Sequence, residues 1–261
     1  MTVARIAWRV AMIVALPAIL LALWWFLSEG STSYYAPPLS KILKTFDDVW
    51  FTGRFGTDVV PSLLRLLAGF TIALVLGVGL GVLIGSIRSV RAFCEPALEF
   101  LRAIPPPVLV PVLILLAGIG DTMKVFVVVS GCLWPILLNT VEGVRAVDEV
   151  LTETCRCYRI VGRTRLYQLV IRSASPQIMT GVRQALSIGI ILMVISEMFA
   201  ASNGLGFTII QFQRTFNVTE MWTGILLLGA LGLVLALLVR LVEWRVLRWY
   251  YGLRASQRGS A

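Results

Sequence analysis

Cys155 and Cys157, one residue apart, are the nearest this chain comes to a metal-ligand spacing, and its 261 residues include no histidine to complete a mixed site. The other two cysteines, Cys94 and Cys132, stand alone. Acidic residues are scattered rather than paired, and no glycine-rich loop ending in Lys and Ser/Thr is present to cradle a nucleotide's phosphates. Catalysis therefore has no obvious home. Polar chemistry is instead concentrated in one stretch, residues 141–180, which reads VEGVRAVDEVLTETCRCYRIVGRTRLYQLVIRSASPQIMT. Asp148 and Glu149 favour a helix start and Arg156 and Arg159 its end. Gly162 offers a turn, after which Leu166, Leu169, Val170 and Ile171 form a second apolar stripe beside Arg163, Arg165 and Arg172, with Ser173–Pro176 expected to end it. Two short amphipathic helices joined at a bend suit a mechanical contact, because packed side chains transmit displacement where a loose loop absorbs it.

The elements that position this stretch are apolar. Hydrophobic residues make up 58% of the chain and charged residues 14%, a balance that belongs to a membrane protein. A spanning helix needs about 20 mainly apolar residues. Six segments qualify, at about 11–27, 63–87, 96–119, 124–140, 178–199 and 222–242, giving one all-α transmembrane domain over residues 1–261. Trp24-Trp25-Phe26 after the first apolar run, without a small-residue cleavage pattern, favours a retained helix over a removed signal.

Charge sets the orientation. With the amino terminus cytoplasmic, Arg5, Arg9, Arg88, Arg91, Arg145, the arginines of 156–172, and Arg240, Arg245, Arg248, Arg254 and Arg258 all fall inside. The outside keeps only Lys41, Lys44, Arg54, Lys124 and Arg214. Both termini are then cytoplasmic. The same bias accounts for the net charge of +9 without invoking nucleic acid. Cys94, Cys155 and Cys157 lie at cytoplasmic levels, where disulfides are rare.

Outside, residues 38–52 place Leu39, Ile42, Leu43, Phe46, Val49 and Trp50 at helical spacing, as an amphipathic helix on the outer surface or against the bundle. In the second span Gly77, Gly81 and Gly85 repeat every four residues, a spacing that lets helices approach closely. Pro105-Pro106-Pro107 and Pro111 mark a kink near the cytoplasmic end of the third span. Ser130, Asn139, Ser187, Ser196 and Glu197 are the polar candidates for lining a path between spans two and five. Glu197, near the outer end of the fifth, is equally suited to bond backbone around Asn203–Gly206.

Taken in order, these features resemble the membrane permeases of bacterial ABC importers of the nitrate, sulfonate, taurine and bicarbonate branch. Their cytoplasmic signature, a Glu followed by two Ala, three spacers and a Gly, falls on Glu153, Thr154 and Cys155, with Arg159 at the glycine position. Arg172 stands where a first proline is usual, Pro176 matches the second, and Gly181 follows. The resemblance also covers Pro105-Pro106-Pro107 with Val110-Pro111, Gly118-Ile119-Gly120, Glu197-Met198 and Gly204-Leu205-Gly206. It implies the type I importer permease fold in the bacterial inner membrane, with 147–176 as the segment coupled to an ATPase through Glu153, Thr154, Cys155, Arg159, Gly162, Arg163 and Leu166. It further implies a second permease copy, two ATPase subunits that hold ATP and Mg, and an external binding protein delivering a small anionic solute. A channel or ion-coupled carrier without an ATPase is the alternative. Arginine at the glycine position resists a turn that glycine would permit, so the bend is expected to move to Gly162 or the first helix to run longer.

Overall fold

The computed structural model describes residues 15–16, 19–199 and 201–252, and these form helices and connecting turns without a strand. In chain order the helices are α1 (Ile19–Ser28), α2 (Leu39–Val49), α3 (Val60–Ser86), α4 (Arg88–Arg102), α5 (Val110–Ala117), α6 (Asp121–Arg145), α7 (Glu149–Cys157), α8 (Gly162–Arg165), α9 (Arg172–Phe199), α10 (Leu205–Arg214) and α11 (Val218–Val246). Four helical stretches are long and apolar enough to cross a membrane: Leu39–Ser86, which is kinked at Gly53, Asp121–Arg145, Gly162–Phe199 and Val218–Val246. Of the expected span at 11–27, residues 11–14, 17 and 18 lie outside the described residues, as do Arg5, Arg9, Arg254 and Arg258.

The core is a layer of three helices, α6 between α3 and α9. Sequence dictates how close they come. On α3, Gly69, Ala73, Gly77, Gly81 and Gly85 recur every four residues, and all five are buried. The facing row on α6 has the same period: Val128, Cys132, Ile136, Thr140 and Val144. A Cβ added at Gly69, Gly77, Gly81 or Gly85 would stand 2.7, 2.8, 2.6 or 2.8 Å from Val128, Ile136, Thr140 or Val144 respectively. The stripe thus serves contact within one copy of the chain. Toward α9, Gly189 sits against Cys132 and Leu66 where the three helices meet, and Gly143 of α6 sits against Gln177. Small residues let the backbones meet, and dispersion over that contact replaces the hydrophobic drive that lipid cannot supply between helices.

Two expected boundaries are corrected. Segment 96–119 is not one straight helix. Its first part belongs to α4, and the chain then bends by 81° into Pro106–Ala117. Pro105, Pro106 and Pro107 contribute no amide donors, and each disfavours helical backbone in the residue before it, so α4 stops at Arg102. The piece beyond the bend is at most about 20 Å long, short of the ~30 Å hydrocarbon layer. It packs on α6. The second correction concerns Ser173–Pro176, which does not end a helix: Gly162–Phe199 runs through it without a break. Pro176 cannot donate to the Arg172 carbonyl four residues back, but the Ser175 hydroxyl does so at 2.8 Å and keeps that carbonyl satisfied. A π-type turn at Leu166–Ile171 joins α8 to α9.

Outside the trio, α2 packs on α11 rather than standing free. Its apolar edge buries Leu39 and Ile42. Trp50, fully enclosed just after it, donates from Nε1 to Thr223 Oγ1 on α11 at 2.9 Å. Gly53, with φ of 136°, turns the chain from α2 into α3. Gly81→Ala should lower the thermal stability of the purified protein by roughly 1–3 kcal/mol through overpacking. Gly79→Ala, where no atom lies within 4 Å of the added carbon, should not. Equal unfolding midpoints for the two variants would show that the α3–α6 contact is not as tight as drawn.

Candidate functional site

Two regions at opposite ends of the trio gather the polar groups. The first is an ionic knot where α3 and α6 begin and α9 ends. Arg65 on α3 and Glu197 on α9 are 5% and 0% exposed, and Arg65 Nη1 lies 2.7 Å from Glu197 Oε1. Arg65 also donates from Nε to Asp121 Oδ1 at 2.8 Å and from Nη2 to Asn203 Oδ1 at 2.6 Å. Lys124, one turn into α6 and itself buried, reaches the same Asp121 oxygen at 3.4 Å. The Ser62 hydroxyl donates to Glu197 (2.7 Å to Oε1) and accepts from Leu205 N–H at 2.9 Å. Gly206 N–H donates to Glu197 Oε2 at 3.0 Å and Gly204 N–H to Asp58 Oδ1 at 3.2 Å. Gly204 has φ of 120°, and a Cβ there would come 2.5 Å from the Glu197 carboxyl carbon. Glycine is required on both counts.

This knot draws on α3, α6, α9 and the turn before α10. Sequence reasoning singled out Glu197 and its bonding to Asn203–Gly206, but did not join it to Arg65, Asp58, Ser62, Asp121 and Lys124. The available signal was opposite charge at one depth on different apolar helices. Of the candidate path residues, Ser196 and Glu197 are fully buried, so neither lines an open surface of this chain. Ser196 and Ser130 return their hydroxyls to their own helices, on Met193 and Val127 carbonyls. Asn139 bonds the Pro135 carbonyl and Gln184 on α9, and Ser187 is exposed.

The second region is the polar segment, at the far end of α6. Asp148 caps α7, accepting from Val150 N–H at 2.7 Å and Leu151 N–H at 3.3 Å. The helix closes at Cys157. Ile160 N–H donates to Cys155 O at 2.8 Å and Arg159 N–H to Arg156 O at 3.0 Å, with Arg159 itself left-handed at φ of 53°. This is a Schellman stop. It corrects the expectation that the bend would leave position 159 or the helix run on. Arginine adopts the conformation glycine would, at a cost of about 1–2 kcal/mol, offset by two hydrogen bonds on otherwise orphaned carbonyls. Gly162, with φ of 61°, makes a second left-handed step at the first residue of α8.

Glu153, Thr154, Arg159, Gly162 and Arg163 are exposed and Cys155 is half-buried. Leu166, expected on the contacting surface, instead packs inward on the cluster of Val144, Val170 and Ala174. The apolar groups left outside are Val150, Tyr158, Val161 and Tyr167, each at least 60% exposed. Arg172 lies over the Trp249 ring at 5.7 Å, bracing the segment against the chain beyond α11.

Residues 73–248 match the family of binding-protein-dependent transport system inner membrane components, well over half of the chain. The chain belongs to that family. It is 30% identical over 242 residues to a Methanocaldococcus jannaschii protein provisionally named an ABC transporter permease, covering 90% of this chain and 91% of the relative. A Bacillus subtilis relative, provisionally named an aliphatic sulfonates transport permease, is 27% identical over 90% of this chain and 86% of its own. The bicarbonate transport system permease protein of Synechococcus elongatus is 32% identical over 76% and 73%. This permease is thus the membrane component of an ATP-driven importer, with an all-α fold.

Glu197→Gln would keep the shape of the knot while removing the buried one of Arg65's two counter-charges, the other being the exposed Asp121. Loss of one partner of such a pair costs about 3–5 kcal/mol. A marked fall in the unfolding midpoint of the purified permease is expected, and an unchanged midpoint would remove the pair from the list of stabilising contacts.

Proposed function

We propose that two copies of this permease form the solute path, with two ATPase subunits carrying ATP and Mg beneath them and an external binding protein above. Residues 147–176 enter a groove on the ATPase, and closure of the ATPases shifts the equilibrium between inward-open and outward-open states. The observation that carries this reading is the tip of that segment. Its backbone is held by a cap, a Schellman stop and inward packing, yet it presents Val150, Tyr158, Val161 and Tyr167 beside Arg159 and Arg163. An ordered surface that keeps aromatic groups in water fits a partner. Both termini are cytoplasmic, supported by the arginine excess on that side. The solute is a small anion, supported by relatives named for sulfonates and bicarbonate.

Co-expression with the cognate ATPase and purification of the complex tests the arrangement. Arg163→Glu should reduce solute-stimulated ATP hydrolysis several-fold without loss of the folded permease, and the native mass should correspond to two permeases and two ATPases. A cysteine at Val161, exposed and with an ordinary extended backbone, should crosslink to the ATPase. Failure of that crosslink in an intact, active complex would exclude the segment as the contact.

Orientation has its own measurement. Ser89→Cys, at the start of α4, should react with a membrane-impermeant maleimide only from the cytoplasmic side, and Ser202→Cys, in the turn before α10, only from outside; both positions are exposed. The reverse pattern would invert the topology.

A further inference from the structure

Beside the segment, three arginines from three separate elements converge on one concavity of about 290 Å³: Arg91 of α4, Arg145 at the end of α6 and Arg165 of α8. The wall also includes Ser86 and Thr152, and among the described residues no carboxylate lines it. Arg145 gives one nitrogen, Nη1, to Glu142 at 2.7 Å outside the concavity. Arg165 Nε is shielded from solvent, and no acceptor reaches it among the described residues. A buried N–H donor without a protein acceptor is costly, and three neighbouring guanidiniums repel one another, so the arrangement favours an anion. The concavity has the volume of about ten waters at ~30 Å³ each, larger than a chloride needs and suited to a tetrahedral oxyanion with a substituent.

We propose that this concavity binds a phosphate group, borne by a lipid headgroup or free in solution. Guanidinium forks match phosphate oxygens two at a time. The surroundings fit the lipid source: α4 buries none of its residues, with Phe93 and Phe100 86% and 70% exposed, as in a helix lying in a membrane interface. Basic pockets between membrane helices hold phosphorylated headgroups by the same forces. Because the ligand would tie α4 and α6 to α8, its binding would brace the segment proposed to meet the ATPase.

The full-length permease, purified in a neutral detergent, should be titrated with phosphatidylglycerol, phosphatidylcholine, inorganic phosphate, or sodium chloride at matched ionic strength, following the unfolding midpoint. A saturable rise with phosphatidylglycerol alone identifies a headgroup site, and a rise with inorganic phosphate as well identifies the phosphate group itself as sufficient. Arg165→Gln should weaken the response about tenfold, the loss expected for a charged hydrogen-bonding group. Arg163→Gln, which removes the same charge one turn-edge away but does not line the concavity, should leave it intact. If Arg165→Gln does not fold, Arg91→Gln on the unburied α4 gives the same reading. No saturable response to either phosphate source, or an equal response in Arg165→Gln and wild type, overturns the proposal.

Discussion

Everything at one end of this permease is arranged around a single buried charge pair. Removing Arg65 and Glu197 from water costs several kcal/mol per ion, and their attraction offsets this only when the remaining lone pairs and N–H groups are also bonded. Glu197 is accordingly held by Arg65, Ser62 and Gly206 N–H, and Arg65 by Glu197, Asp121 and Asn203. Those bonds dictate the surroundings. Gly204 must lack a side chain and take a left-handed turn so that the chain folds back over the carboxylate. The start of α3 and the end of α9 are pinned at one level, and Asp121 brings the first turn of α6 to the same level. The register of the three-helix layer is therefore set at this end by electrostatics and continued toward the other by small residues.

What could be read from sequence follows from the range over which each feature is decided. Apolar runs are local and long, so helices α3, α6, α9 and α11 were legible, as was the four-residue glycine row. The proline cluster announced a kink, but its angle depends on how α5 packs against α6. Pro176 reads as a terminator because its missing amide is visible in the sequence, whereas the substitute bond from Ser175 to Arg172 is visible only in three dimensions. The knot was harder still. Its members lie on four elements, and nothing in one sequence says that residue 65 meets residue 197.

Position 159 shows the same limit in the coupling segment. Propensity argues against a left-handed arginine, yet the helix end decides the backbone, because two carbonyls of α7 obtain partners only if residue 159 turns that way. A side chain's preference of about 1–2 kcal/mol yields to the satisfaction of main-chain groups. The outcome is a turn with the shape glycine would make and a cation at its apex.

The unbroken run from Gly162 to Phe199 makes one rod of the segment's second half and the helix that carries Glu197. At about 1.5 Å per residue, 38 residues reach roughly 55 Å. Glycine contacts on both flanks of α6 hold its neighbours at close backbone approach along the layer. A tilt of only about 5° applied at the Gly162 end would carry the Glu197 end through about 5 Å. The layer is in this sense a lever arm, with its stiffness supplied by residues that have no side chain at all.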